Sequence, residues 1–281
     1  MAYPDWHLVM ALWGDRYGAA DVNRLAGAAR AGSATCRGVI LVTDRPRDGV
    51  DAAVRQIPFP GAFATPECFA PGYPAKLAVF APEVVPAQAL CVYLDLDTLV
   101  LGDLGRLAAR VDSPEALLML PPAGPVGFGA LRRGLFALTG GRRVATGNSS
   151  IMAWHTGAAH NIADAWRAGG AAGAAHRGID DAFISWCAQD RLRGVPPELA
   201  VRFRRGFMTR VPGLATARHR WGRRLDGLVA VTFDSPACKP AELARLPDAT
   251  PIRDGRGRRA IWSQAAMGPV WHGVRAGWGG Q

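Results

Sequence analysis

The stretch that most constrains the fold of this chain is Ala89-Leu90-Cys91-Val92-Tyr93-Leu94, followed at once by Asp95-Leu96-Asp97-Thr98. An almost unbroken apolar run of this length reads as a strand buried on both faces, as in the middle of a parallel sheet. Such a strand has no packing reason to end on two carboxylates separated by one leucine. Alternation puts Asp95 and Asp97 on the same side of an extended backbone, roughly 6 to 7 Å apart at Cα, close enough to face one cation.

The preceding segments supply a setting for that strand. Trp6 to Trp13 reads as a strand and Gly14 to Gly18 as a turn; a helix with Val22, Leu25, Ala26 and Ala29 on one face follows, stopped by Gly32-Ser33. Arg37 to Thr43 is a second buried strand. Strand, helix, strand is a βαβ unit, which implies a parallel sheet with ligands at the carboxyl ends of its strands. Asp51 to Phe59 supplies a third strand, and Tyr73 to Phe80 a short helix with Lys76 in its first turns. Later, Glu115 to Leu120 reads as a strand, and Thr146 to Trp154 as a polar turn leading into another. Ala159 to Ala168 and Ile179 to Gln189 are helices, the second opened by Asp180 and Asp181. Leu228 to Phe233 reads as the last strand. Pro121 to Arg143, the Gly/Ala loop Gly169 to Gly178 and the tail with Trp262, Trp271 and Trp278 carry no readable pattern. No internal repeat, low-complexity block or linker interrupts the chain. The expectation is an α/β fold with a mostly parallel central sheet flanked by helices, one domain over residues 1–281.

Composition narrows the partners. The formal net charge is +10, with arginine clusters at Arg202 to Arg205, Arg218 to Arg224 and Arg253 to Arg259. These are not interleaved with exposed aromatics in the manner of any known nucleic-acid module, so no specific nucleic-acid binding is expected. An anionic small-molecule ligand, or peripheral contact with an anionic membrane surface, accounts for them as well as a solvated face does. Of 33 basic residues only Lys76 and Lys239 are lysine, as if a compact ammonium were required at those two places. Five scattered cysteines without a Cys-x-x-Cys pair indicate neither a disulfide framework nor a zinc site. No apolar run reaches the ~18 residues of a membrane span, and a cytoplasmic protein, peripheral at most to the inner membrane, is expected.

The order of the motifs resembles nucleotide-sugar glycosyltransferases of the GT-A fold, in particular bacterial proteins similar to glycosyltransferase family 8. The strand ending at Trp13 with the Gly14-x-x-Tyr17 turn looks like that family's base-binding entrance, and Leu41-Val42-Thr43-Asp44 like its second strand with an acid facing the nucleoside. Ala75-Lys76-Leu77-x-x-Phe80 resembles the helix before the metal motif, and Tyr93-Leu94-Asp95-Leu96-Asp97-Thr98 the Asp-x-Asp metal motif itself. Asn148-Ser149-Ser150-Ile151-Met152 is similar to the sugar-contacting segment, and Asp180-Asp181 to the acidic pair of the following helix. In Phe233-Asp234-Ser235-Pro236-Ala237-Cys238-Lys239-Pro240 an acid replaces the histidine that related proteins usually carry.

The resemblance implies a GT-A domain whose nucleotide-binding half is residues 1–110 and whose sugar and acceptor half is 111–281. It implies a metal-dependent transfer from a nucleoside diphosphate sugar, a UDP-sugar in the first instance, to an acceptor hydroxyl on a glycan, lipid or protein. Manganese or magnesium would be held by Asp95, Asp97 and Asp234. The donor would be bound by Trp13, Tyr17, Asp44, Lys76, Asp95, Asn148, Ser149 and Lys239, the two lysines meeting the diphosphate. Asp180 and Asp181 would orient the sugar or act as base. Binding without turnover is one alternative, because of Asp234. Asp95-x-Asp97-x-Leu99 also resembles the nucleophile motif of haloacid-dehalogenase-type phosphatases, but the order of lysines and later acids does not follow that family.

Overall fold

The computed structural model describes residues 3–72, 74–122, 131, 134–135, 137–139, 145–169, 180–211 and 225–279. Most of the Pro121 to Arg143 stretch, residues 170–179 and the cluster Arg218 to Arg224 lie outside the described residues. The chain forms two compact units: unit 1 is Met1–Ala26, Thr35–Leu96 and Gly105–Val195, and unit 2 is Gly27–Ala34, Asp97–Leu104 and Pro196–Gln281.

Unit 1 is built on a seven-stranded sheet. Its strands are β1 (Trp6–Leu12), β2 (Cys36–Thr43), β3 (Val54–Pro58), β4 (Leu90–Leu94), β6 (Leu117–Leu120), β7 (Asn148–His155) and β8 (Leu192–Gly194), in the spatial order β3-β2-β1-β4-β7-β6-β8. Neighbours from β3 through β4 are parallel, as are β6 and β8; β7 runs antiparallel to both β4 and β6. The mostly parallel sheet expected from the apolar runs is present. The apolar run becomes the central strand β4, buried along its whole length, because β1 and β7 flank its edges while Val9, Phe80, Tyr93, Met152, Trp154 and Phe183 join one core cluster. The expected face of α1 (Ala19–Gly32) is buried at Val22, Leu25, Ala26 and Ala29. Pro74–Phe80 is a 3-10 helix with all seven residues buried, which carries Lys76 into the interior. Helices α2 (His160–Ala168) and α3 (Asp180–Ala188) complete the described part of unit 1 that bears on the site.

Unit 2 holds a three-stranded sheet in the order β5-β10-β9, made from β5 (Thr98–Val100), β9 (Ala200–Arg202) and β10 (Ala230–Thr232). Thr232 pairs with Thr98 on one side and with Arg202 on the other. Leu228 to Phe233 therefore contributes a strand three residues long, and it is not the last. The C-terminal stretch is ordered into a hairpin, β11 (Thr250–Arg253) and β12 (Arg259–Trp262), and a helix α4 (Pro269–Trp278). Helix α4 starts on proline and buries Val270, Val274 and Trp278, one stripe at four-residue spacing. Phe203 anchors the core of this unit, with ring centroids 4.8 Å from Phe233 and 6.2 Å from Trp262. Among the described residues no helix is long and apolar enough to cross a membrane.

Candidate functional site

The antiparallel pairing of β4 with β7 matches Leu94 with Ile151. One step further, the Asp95 amide donates to the Ser150 carbonyl at 3.0 Å, so the ladder itself sets Asp95 beside Asn148 and Ser149. On the other side of β7, Gly147 lets the chain lie close against β6, because a Cβ there would fall 2.9 Å from Cβ and Sδ of Met119. The backbone after Asp95 is fixed by Arg24, whose Nη2 donates to the Leu96 carbonyl at 2.8 Å.

Lys76 stands at the centre of the unit 1 cluster and is 6% exposed. Its ammonium lies 3.0 Å from Asp95 Oδ1 and 3.2 Å from Asp180 Oδ2, and it donates to Ser149 Oγ at 3.1 Å. Three acceptors match the three N–H donors of an ammonium. Lys76 is thus committed to this network, whereas the resemblance gives it a phosphate. The Ser149 hydroxyl in turn donates a hydrogen bond to Asp180 Oδ2 at 2.8 Å, and the Tyr93 hydroxyl donates to Asp95 Oδ1 at 2.8 Å. Asp181 is held by the Ser149 amide at 2.6 Å and by Asn148 Nδ2 at 3.0 Å. Ser185 Oγ donates to the Asp181 carbonyl and accepts from the amides of Thr146 and Gly147, tying α3 to the start of β7. Asn148 Oδ1 is buried and has no hydrogen-bond partner among the described residues, so the cluster offers one acceptor to a ligand donor such as a sugar hydroxyl.

One ammonium among three carboxylates leaves negative charge in excess, and the most buried acid yields. Burial pushes the Asp180 carboxyl up to about 6, opposed by Lys76 and reinforced by Asp181. Burial alone would lower the Lys76 ammonium, but Asp95, Tyr93 and Asp180 hold it well above its ordinary value. Burial and the Asp95 carboxylate push the Tyr93 phenol far up, so it stays a donor. A consequence for stability follows from the raised Asp180. The native state keeps this proton longer than the unfolded chain, so the Asp180 contribution falls as pH rises from the ordinary 3.8 to about 6, then levels off. Urea unfolding of the wild type and of Asp180→Asn across that window is expected to give a difference in stability that declines with pH. A flat difference would show that Asp180 titrates alike in both states.

The expected nucleoside-facing residues lie at the carboxyl ends of β1 and β2. Trp13 is half-buried, with ring centroids 6.0 Å from Phe59 and 6.2 Å from Phe69. Tyr17 is half-buried under the Arg16 guanidinium, 5.5 Å from its ring centroid. Asp44 accepts from the Gly14 amide at 3.1 Å and pairs with Arg45 and Arg47. Burial would raise its carboxyl, but the Gly14 amide and Arg47 carry it below the usual range. Gly14, at φ +62°, supplies the left-handed turn that brings that amide round.

In unit 2, Asp97 is buried and pairs through Oδ2 with the Lys239 ammonium, which also donates to the Phe233 carbonyl at 2.9 Å. Asp234 is clamped by two guanidiniums. Its Oδ2 receives both Arg202 Nε, at 2.7 Å, and Arg202 Nη2, together with Arg204 Nη2 at 3.0 Å. Against the upward push of burial, these arginines hold the Asp234 carboxyl below its ordinary value. Arg204 reaches on to Asp254 Oδ2 at 3.5 Å, and Asp254 Oδ1 is fixed by the amides of Arg256 and Arg258.

The structure thus gathers Lys76, Asp95, Asn148, Ser149, Asp180 and Asp181 in unit 1 and pairs Asp97 with Lys239 in unit 2. It commits Asp234 to arginines. A resident divalent cation needs several open oxygen ligands, and among the described residues no group of three or more His, Cys, Asp or Glu side chains is placed to hold one. As they stand, Asp97 and Asp234 do not fit such an ion. Sequence reasoning missed Tyr93, although it lies two residues before Asp95 on the same strand face. It also missed Arg202 and Arg204, which no local pattern links to Asp234.

No family model matches the sequence, and no curated protein matches it. Solved structures do share the fold. The galactosyltransferase LgtC, in complex with donor and acceptor sugar analogs, is similar at a TM-score of 0.52 and 15% identity, covering 83% of this chain and 88% of that one. The bifunctional glycosyltransferase WbbM gives 0.55 at 13% identity over 85% of this chain and 47% of its own. The glycosyltransferase GlyE of Streptococcus pneumoniae TIGR4 gives 0.51 at 14% identity over 84% of this chain and 56% of its own. The chain has the GT-A glycosyltransferase fold.

Proposed function

On that shared fold, we propose that the chain transfers a sugar from a nucleoside diphosphate sugar, with a UDP-sugar as donor, to a hydroxyl of a glycan, lipid or protein acceptor. The observation that carries the reading is the unit 1 cluster at the end of β4 and β7, where a buried ammonium holds Asp95 and Asp180 while Asn148 and the Ser149 amide hold Asp181, beside one acceptor atom left without a partner among the described residues. In the reaction the bond from the anomeric carbon to the diphosphate oxygen breaks, the acceptor oxygen bonds to that carbon, and the acceptor proton passes to a base. Asp181, less buried than Asp180 and oriented by Asn148 and Ser149, serves as base or holds a sugar hydroxyl. Asp180 and Lys76 position it. Trp13, Tyr17 and Asp44 receive the nucleoside.

The departing diphosphate must be neutralised. The resemblance gives this task to manganese or magnesium, and Lys239 is the ammonium available for it in unit 2. Thermal melting with UDP, UDP-sugars and other nucleoside diphosphates, each with and without manganese, tests the reading. A uridine nucleotide is expected to stabilise the native state by about 2.7 kcal/mol at a concentration near 100 times its Kd. No shift with any nucleotide would overturn the proposal. A shift with UDP-sugar but neither hydrolysis nor transfer would assign the chain to binding alone.

A further inference from the structure

In unit 2 the two carboxylates that resemble metal ligands are matched by three cationic side chains. Asp234 Oδ2 already receives three N–H donors from Arg202 and Arg204. A divalent cation coordinated to that oxygen would sit a few ångströms from two guanidiniums, and arginine cannot shed its proton to make room. Nor is Arg204 loosely held. On its far side it meets Asp254, a carboxylate 0% exposed whose other oxygen is fixed by two backbone amides. Where a neutral histidine could turn toward a metal, this ladder of Arg202, Asp234, Arg204 and Asp254 is internally balanced.

Lys239 differs from Lys76 in one respect. Its ammonium uses one donor on Asp97 and one on the Phe233 carbonyl, and no third acceptor is found among the described residues. Side-chain exposure agrees, at 18% for Lys239 against 8% for Lys76. An ammonium aimed by a buried carboxylate and a main-chain carbonyl, with an N–H to spare, is suited to a phosphate oxygen.

We propose that Lys239, positioned by Asp97, neutralises the donor diphosphate in this chain, while Arg202 and Arg204 keep Asp234 out of metal coordination, so that donor binding requires no divalent cation. The proposal rests on the transferase reading. Its test uses the whole protein, with UDP and manganese as probes. By calorimetry, the Kd for UDP is expected to agree within about threefold between EDTA and manganese, and Lys239→Met to weaken it about tenfold or more. In the electron paramagnetic resonance of manganese alone, the aqua-ion signal is expected to persist when protein is added. UDP binding that appears only with manganese, or protein that depletes the aqua-ion signal, overturns the proposal and leaves the transferase reading standing. Wild-type affinity in a folded Lys239→Met variant also overturns it. No UDP binding under either condition removes both.

Discussion

Lys76→Met is expected to lower the unfolding free energy by about 3 to 5 kcal/mol, the range for removing one partner of a buried charge pair. The lysine is almost fully buried and touches Asp95, Asp180 and Ser149. Without it Asp95, Asp180 and Asp181 face one another with no cation, and methionine fills the volume without replacing a donor. Urea unfolding measures the loss, and the second variant Lys76→Met/Asp180→Asn separates charge from packing. Removing one uncompensated acid is expected to recover part of the stability. A single variant as stable as wild type, or a double variant no better than the single, would mean that the ammonium does not hold the cluster together. Arginine is not a conservative replacement, since its planar fork cannot place three donors around one point.

Asp181→Asn is expected to reduce turnover by about a hundred- to ten-thousand-fold, the span of a general acid–base contribution, while leaving UDP affinity unchanged. Two donors, the Ser149 amide and Asn148 Nδ2, point at opposite oxygens of the Asp181 carboxylate. A carboxamide can accept from only one of them, and its NH2 then opposes the other donor. The variant therefore loses the base and misplaces the side chain whose Oδ1 is offered to the sugar. Turnover with a UDP-sugar and its acceptor, alongside UDP calorimetry, checks both halves. Wild-type turnover in this variant would remove Asp181 from the chemistry, and lost UDP affinity would place it in nucleotide binding instead.

Much of unit 1 was legible in the sequence because its strands are long and buried on both faces. Trp6–Leu12, Cys36–Thr43 and Leu90–Leu94 all announce themselves as apolar runs, and acids in the first turn mark the helix Asp180–Ala188. Unit 2 was harder for physical reasons. Thr98–Val100, Ala200–Arg202 and Ala230–Thr232 are too short for a period to emerge, and Pro251 inside Thr250–Arg253 argues against a strand when only the sequence is read. Helix α4 did carry a readable signal, Pro269 followed by Val270, Val274 and Trp278. At the site, motif order located the acids but not their partners. Whether Lys239 meets a phosphate or Asp97, and whether Asp234 meets a metal or Arg202, depends on contacts between residues 142 and 32 positions apart.

The chain enters unit 2 three times, through residues 27–34, 97–104 and 196–281. No single cut can release that unit intact: a fragment beginning at Pro196 would lack Thr98–Val100, the outer partner of the strand Ala230–Thr232. On the ribosome the same arrangement imposes an order. The segment bearing Asp97 is made early and waits for more than a hundred residues until its pairing strand emerges, whereas the apolar strand just before it can already be enclosed by the strands on either side. Translation speed between the two segments, which changes no residue, would then govern how long that exposed edge strand is open to wrong partners.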